Sequence, residues 1–181
     1  AVARVAAGHY DHYICRRDDN PRGRGDRAVP ELLRDTLLQH GVPADRVTHH
    51  SNFLDLDQHP ASDNPGTGWL YAGRLTREKG VHTAIEAARG LPEHPLWICG
   101  TGPLDRELKR QASGLARVRF IGHVPRAELA RRLVDVRAVA VPSIWYENFP
   151  YAVLEGQAAQ RAVVASRIGG ITEQIEHGTD G

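Results

Sequence analysis

The fold class is decided by residues 69–100, "WLYAGRLTREKGVHTAIEAARGLPEHPLWICG". Two short apolar runs, WLYA and LWIC, flank a segment whose apolar residues recur at helical spacing: Val81, Ala84, Ile85 and Ala88. Such a pattern predicts a strand, an amphipathic helix and a second strand. The alternation continues through the strands VRFIG, AVAVPS and AVVAS, separated by the helices LDRELKRQA, RAELARRLV and PYAVLEGQAAQ, to a helix start at ITEQIEH. Five apolar strands separated by helices predict an α/β fold with a doubly wound, Rossmann-like parallel sheet.

The sequence upstream of residue 69 is organised differently. The segment PASDNPGTG, residues 60–68, has the proline, glycine and polar content of a linker. We therefore divide the chain into residues 1–60, the partly irregular end of a preceding domain with its hinge, and residues 61–181, the α/β domain. Within the first part, PELLRDTLLQHG predicts a helix with Leu33, Leu37 and Leu38 facing inward.

The bulk composition is that of an ordinary globular protein. Of 181 residues, 41% are hydrophobic and 25% are charged. A formal net charge of +1 gives no reason to expect nucleic acid or an anionic membrane as a partner. No long apolar run or secretory signal is recognisable, so we expect a cytoplasmic protein in which Cys15 and Cys99 are buried thiols. The chain begins at Ala1, lacks methionine and ends in turn residues, from which we expect a piece truncated at the C-terminus.

Two cations follow the first strand of the alternating region. Arg74 leaves the strand, and Lys79, one of only two lysines in the chain, stands at the start of the next helix. Ligands of open α/β sheets bind at the carboxyl ends of the strands, and a helix N-terminus favours an anion. The pair predicts a phosphate site, with two solvated surface cations as the alternative. Further along, the GTG of residues 100–102 predicts either a close backbone approach to a ligand or a plain tight turn.

Two glutamates flank the start of the helix after the fourth strand. In PSIWYENFPYAVLE, residues 142–155, Glu147 lies in the loop above the strand ends and Glu155 lies within the helix. Their spacing alone has no weight, since Glu78 and Glu86 share it. Glu155, however, has mostly small helical neighbours, which leaves room for a ligand. Carboxylates accept hydrogen bonds from sugar hydroxyls, and the free N–H groups of a helix start bind phosphate. The two glutamates are therefore predicted to bracket a sugar nucleotide.

Five motifs, taken in order, resemble the C-terminal, donor-binding domain of the group-one glycosyltransferases: GRLTREKG, GTGP, FIGHVP, PSIWYENFPYAVLE and GGITE. Members of this family, glycosyltransferase family four, are retaining enzymes of the GT-B fold. The resemblance covers residues 48–181, and GVPADRVTHHSNFLD resembles the hinge into that domain. It implies one half of a GT-B fold and transfer of a hexose from a nucleoside-diphosphate sugar to a glycan, lipid-linked or small-molecule acceptor.

The resemblance also implies a role for each candidate residue. Arg74, Lys79 and Glu147 would be catalytic, the two cations on the donor diphosphate and Glu147 on the donor sugar hydroxyls. Glu155 would bind the ribose. The remaining donor contacts would come from Gly73, Gly102, His123, Val124, Tyr151 and Ala152, with His123 acting through its backbone as a turn residue next to the base. No metal and no cofactor are implied, because cationic side chains neutralise the leaving diphosphate.

The chain departs from the family pattern in two ways. The acceptor-binding first domain is missing except for its last segment, so we expect this piece to be inactive alone and any membrane contact to be peripheral, through the missing domain. His49 and His50 also stand where the family has an apolar strand. Two other hypotheses remain open: a non-catalytic module that binds nucleotide sugars, and a GT-B nucleotide-sugar epimerase.

Overall fold

The chain divides into two compact units, residues 1–52 and 53–181. The computed structural model describes residues 28–29, 31–49, 52–179 and 181. In the first unit, strand β1 (Ala28–Val29) pairs in parallel with β2 (Thr48–His49), and helix α1 (Glu31–Gln39) lies between them along the chain. Among the described residues of this unit, Leu33 and Leu37 are buried; they lie one helical turn apart and pack with Val42 and Val47.

The predicted inward position of Leu38 is wrong. This side chain is 37% exposed, whereas Leu33 and Leu37 are buried. The reason is geometric, because neighbouring helical residues point about 100° apart, and a short helix packed through one narrow stripe buries residues i and i+4 only.

The second unit is a five-stranded parallel sheet with helices on both faces. Its elements in chain order are β3 (Trp69–Ala72), α2 (Val81–Arg89), β4 (Leu96–Cys99), α3 (Asp105–Gln111), β5 (Val118–Gly122), α4 (Arg126–Leu133), β6 (Ala138–Val141), α5 (Tyr151–Ala158) and β7 (Ala162–Ala165). The strand order is β5-β4-β3-β6-β7, and all pairs are parallel. The predicted doubly wound, Rossmann-like fold is confirmed.

Each face of the sheet has its own hydrophobic core. Helices α2 and α3 cover one face, where Val81, Ala84, Ile85, Ala88 and Leu108 pack on Tyr71, Leu96 and Ile98. Helices α4 and α5 cover the other, where Leu133 and Val153 pack on Leu70, Val139 and Val163. Adjacent residues of β3 thus belong to opposite cores, as the two-residue period of a strand buried on both faces requires.

The last predicted helix is replaced by a shorter turn. The residues of ITEQIEH were predicted to begin a helix, but the structure has a 3₁₀ turn at Gly169–Glu173. Its first residues are held by the loop after β6: the Gly170 N–H donates to the Glu147 carbonyl at 2.6 Å, and a Cβ on Gly170 would lie 1.6 Å from the Asn148 carbonyl oxygen. This tertiary contact, which local sequence does not encode, sets the backbone there.

The crossover pattern defines a switch point at the carboxyl edge of the sheet. From β3 the chain winds outward to β5, then returns across the sheet to β6 beside β3. The direction of winding therefore reverses between β3 and β6, which is the topological switch point where doubly wound sheets bind ligands. Backbone hydrogen bonds between neighbouring segments continue beyond the ends of the strands here. The Gly73 N–H donates to the Cys99 carbonyl at 3.0 Å, and the Gly100 N–H donates to the Gly122 carbonyl at 2.7 Å. The loops at this edge consequently start from defined positions.

A buried arginine holds the linker to the second unit. Arg161, just before β7, is 6% exposed, and its guanidinium donates to the carbonyls of Ser62, Asn64, Val136 and Ala159. Buried charged donors need such partners, because an unsatisfied one costs several kcal/mol. The segment predicted as a linker, residues 60–68, is therefore hydrogen-bonded through Ser62 and Asn64 to the residue that precedes β7.

Two smaller observations bear on the predictions from composition. Cys99 is a buried free thiol, as expected, and burial raises its pKa; Cys15 lies outside the described residues. Within the described ranges, no helix is long and apolar enough to cross a membrane.

Candidate functional site

The structure joins two predicted site residues directly at the switch point. The Nζ of Lys79, which follows β3, lies 2.6 Å from the Oε1 of Glu147, which follows β6. The side chain of Glu147 is 9% exposed and that of Lys79 25%. Such a pair at low exposure requires further hydrogen bonds to offset the loss of hydration.

Ser143 provides one of these hydrogen bonds. Its hydroxyl donates to the same Oε1 of Glu147 at 2.6 Å, and the residue is 2% exposed. Sequence reasoning did not select Ser143. Its position directly after a buried strand and four residues before a candidate carboxylate is the signal that could have found it.

The turn that carries Lys79 is locked against the end of β6. Residues Arg77–Lys79 form a 3₁₀ turn that ends at Gly80, whose φ of 66° lies in the left-handed region. A Cβ on Gly80 would lie 1.7 Å from the Pro142 carbonyl oxygen, so only glycine permits this approach. The Ile144 N–H also donates to the Glu78 carbonyl at 2.9 Å. These contacts bring Lys79 and Glu147 within reach of each other.

Arg74 lies at the open side of this arrangement. Its side chain is 72% exposed and forms an ion pair with Glu78 at 3.2 Å. The Arg74 carbonyl accepts a 2.7 Å hydrogen bond from the Tyr71 hydroxyl. Burial, followed by the charges of Glu147 and Glu78, raises the pKa of Tyr71, so the phenol stays protonated and acts as a donor. Arg74 is therefore accessible to a ligand, whereas its backbone is held in place.

Glu155 belongs to a second group of residues, on helices α4 and α5. It is 9% exposed, and its Oε1 lies 3.6 Å from the Nε of Arg126. The Arg126 guanidinium also lies 5.5 Å from the centre of the Tyr151 ring, within cation–π range. Burial raises the pKa of the Glu155 carboxyl, and the nearby charges of Arg126 and His59 oppose the shift. Arg126 was not predicted; its place at the first helical position after β5 was the available signal.

The other predicted residues follow the ends of β3, β4 and β5 or lie in the first turn of α5. A Cβ on Gly73 would lie 2.8 Å from the Tyr71 hydroxyl, and one on Gly102 would lie 2.4 Å from the Leu75 carbonyl oxygen. His123 is exposed, while Val124 and Ala152 pack against the hydrophobic core. What Val124 and Ala152 can offer a ligand is therefore their backbone.

The contacts thus divide the candidates into two groups. Lys79 and Glu147 form the first, with Ser143 added and Arg74 beside it; Glu155 and Tyr151 form the second, with Arg126 added. Among the described residues, no group of three or more His, Cys, Asp or Glu side chains could hold a metal ion. The first group offers cations beside a carboxylate, and the second a carboxylate beside an aromatic ring, which suits a ligand with phosphates, hydroxyls and a ring.

Comparison with known proteins gives a consistent result. Residues 67–181 match the family model described as glycosyl transferases group 1. The chain is 36% identical over 162 residues to the glycogen synthase of Mycobacterium tuberculosis, an alignment covering 84% of this chain and 36% of the synthase. The chain thus spans little more than a third of the length of that relative.

Two solved structures share the fold. The Anabaena protein HepE, in complex with UDP and glucose, matches with a TM-score of 0.76 and 23% identity over 85% of this chain and 47% of HepE. The C-terminal domain of LpcC, a glycosyl transferase group 1 family protein from Francisella tularensis, matches with a TM-score of 0.60 and 26% identity over 68% of this chain and 75% of that domain.

Proposed function

The chain belongs to the group 1 glycosyl transferases, and we propose that it is the donor-binding part of a retaining enzyme that moves a hexose from a nucleoside-diphosphate sugar to a glycan, lipid-linked or small-molecule acceptor. The observation that carries the proposal is the Lys79–Glu147 pair, held at 2.6 Å at the switch point of the sheet. That HepE, a structural neighbour, binds UDP and glucose supports this class of ligand.

In this proposal the cations bind the donor diphosphate. Arg74 is exposed and can turn toward a phosphate with its planar guanidinium, and Lys79 is accessible enough to exchange Glu147 for phosphate oxygens. During transfer the bond between the anomeric carbon and the diphosphate oxygen breaks, and the oxygen keeps the electron pair. The acceptor oxygen bonds to the anomeric carbon, and its proton goes to the departing diphosphate. Cations placed beforehand stabilise the negative charge that grows on the diphosphate without a metal ion.

The carboxylates recognise the two sugars of the donor. Glu147 accepts hydrogen bonds from hydroxyls of the transferred sugar, and its charge also stabilises the positive charge that develops on that sugar. Glu155 accepts hydrogen bonds from the ribose hydroxyls. Gly73 and Gly102, with the backbone of Tyr151 and Ala152, border the phosphates and sugar, and the backbone of His123 and Val124 borders the base.

A thermal-shift panel tests this proposal. The chain is heated with UDP-glucose, GDP-mannose or ADP-glucose, each beside its bare diphosphate and nucleoside. Ligands that bind the native state raise the melting temperature. We expect one series to do so, with the sugar nucleotide and the diphosphate raising the melting temperature far more than the nucleoside. Absence of a shift with every sugar nucleotide would contradict it. A product assay on the whole parent enzyme then separates transfer from epimerisation and from binding without turnover.

A further inference from the structure

The two oxygens of the Glu147 carboxylate are used unequally. Oε1 accepts from both the Lys79 ammonium and the Ser143 hydroxyl, each at 2.6 Å. No donor among the described residues is bonded to Oε2. A carboxylate has acceptor sites on both oxygens, so Oε2 retains its capacity to bind a hydroxyl group.

The two donors on Oε1 differ in mobility. Lys79 is 25% exposed at its side chain and has four rotatable methylene groups, so it can turn toward another anion. Ser143 is 2% exposed and has a single short side-chain torsion. Its backbone lies between Pro142, which packs against Gly80, and Ile144, which bonds to the Glu78 carbonyl. Ser143 is therefore the donor that stays in place when a ligand competes for Lys79.

We propose that Ser143 is a positioning residue, which holds Oε1 of Glu147 so that Oε2 faces a hydroxyl of the donor sugar after Lys79 has turned to the diphosphate. The inference rests on the proposed function and adds to it how the sugar is recognised. Without Ser143, no donor in the described part of the chain holds Oε1 once Lys79 has turned to the diphosphate, and the carboxylate rotates so that Oε2 no longer faces the sugar. The hydroxyl group bound by Oε2 must be free, so the site selects donors that are neither deoxygenated nor alkylated at that position.

Isothermal titration of Ser143→Ala tests the inference. The ligands are UDP with UDP-glucose, GDP with GDP-mannose and ADP with ADP-glucose, and the quantity compared is the affinity gained by attaching the sugar. We expect Ser143→Ala to lower this gain about three- to tenfold, the size of one ordinary hydrogen bond, because Ser143 acts only through Glu147. The affinity for the bare diphosphate should change less than about twofold. Ser143→Thr, which keeps the hydroxyl, should retain the gain. Ser113→Ala, at an exposed position just after α3, is the matched control.

A double-mutant cycle with Glu147→Ala separates positioning from other roles. If Ser143 acts through Glu147, adding Ser143→Ala to Glu147→Ala changes nothing further. Three results would each overturn the inference. The first is an unchanged gain in Ser143→Ala, and the second is an equal loss of affinity for diphosphate and sugar nucleotide. The third is a further loss of affinity when Ser143→Ala is added to Glu147→Ala. If no sugar nucleotide binds the unmodified chain, or Glu147→Ala leaves the gain unchanged, the proposed function itself fails and the inference with it. Melting temperatures show whether each variant is folded.

Discussion

Lys79 meets two competing demands in the proposed site. In the free protein its ammonium is bound to Glu147, and a diphosphate must draw it away. In the proposed exchange a phosphate oxygen replaces the carboxylate oxygen as partner of the ammonium, while Ser143 continues to bond Glu147. In the free protein, the ion pair offsets the cost of burying the Glu147 carboxylate.

This leads to a prediction for the two cations. Lys79→Ala and Arg74→Ala should each weaken binding of a nucleoside diphosphate about tenfold or more while barely changing binding of the nucleoside, since only the diphosphate contacts them. Isothermal titration with both ligands measures this. Lys109→Ala on α3, paired with Asp105, and Arg117→Ala at the opposite edge of the sheet, paired with Glu93, serve as controls. Equal losses for nucleoside and diphosphate would show that the cations do not bind phosphate.

Glu155 should make stability depend on pH. Burial raises the pKa of its carboxyl in the folded state above the ordinary value of 4.5, so the folded state binds the proton more tightly than the unfolded state. This contribution to stability is complete below the ordinary pKa and is lost as pH rises through the raised one. Glu155→Gln, which stays neutral, should therefore melt higher than the unmodified chain at about pH 7 and equally at about pH 4. If Glu155→Gln melts lower than the unmodified chain at neutral pH, the ionised Glu155 carboxylate stabilises the fold, contrary to this prediction.

Single residues were predicted with uneven success. The sequence placed Lys79 and Glu147 at one edge of the sheet, because strand ends can be located from apolar runs. It missed Ser143, which bonds Glu147 within the same motif, and Arg126, which pairs with Glu155 on another helix. It also could not indicate that Lys79 and Glu147 touch. Side-chain pairing between loops depends on atomic positions that periodicity does not encode.

Among the elements, those with strong periodicity were predicted well. The strands β3 to β7 and the helix α2 lie where their apolar patterns indicated, since burial on defined faces sets both periods. The segment ITEQIEH failed because Gly170 is bonded to the loop that carries Glu147, and a tertiary contact overrode the helical pattern. The conformation of the loops at the carboxyl edge of the sheet therefore depends on contacts between them as well as on their local sequence.

Gly80 is the position where a substitution should most disturb the packing between the loops after β3 and β6. Gly80→Ala should lower stability by about 3 kcal/mol or more, because a Cβ would meet the Pro142 carbonyl oxygen at 1.7 Å in a left-handed backbone. Gly114→Ala shares the positive φ with no atom within 4 Å of the Cβ, and should cost only about 1 kcal/mol. Chemical denaturation of both variants measures the difference. Equal losses would mean that the close approach at Gly80 is unimportant.

At the scale of the whole molecule, the boundary between the parts of the chain remains a proposal. The sequence placed it at residues 60 and 61, whereas the second compact unit begins at Phe53 and contains the turn Leu56–Gln58. His59, which follows this turn, is 9% exposed, and the linker beyond it is held by Arg161. We therefore infer that residues 53–60 contribute to the stability of the donor-binding part.

Truncation tests that inference. A chain of residues 53–181 should fold and bind the same sugar nucleotide as the whole chain. Residues 61–181 should melt several degrees lower, since about 1 kcal/mol shifts the melting temperature of a domain of this size by roughly 4 °C. Thermal denaturation with and without ligand measures both properties. If residues 61–181 melt at the same temperature as 53–181, the upstream turn contributes nothing.

In the proposed site the two carboxylates bind different parts of one donor, and isothermal titration of Glu155→Gln and Glu147→Gln tests this most directly. Each variant is titrated with the nucleoside diphosphate and with the matching sugar nucleotide. Glu155→Gln should weaken both ligands about tenfold, because the ribose is common to them. Glu147→Gln should leave the diphosphate unchanged or slightly tighter, as Lys79 is released, and weaken only the sugar nucleotide. If both variants bind both ligands like the unmodified chain, these carboxylates take no part in donor binding and the proposed site is wrong.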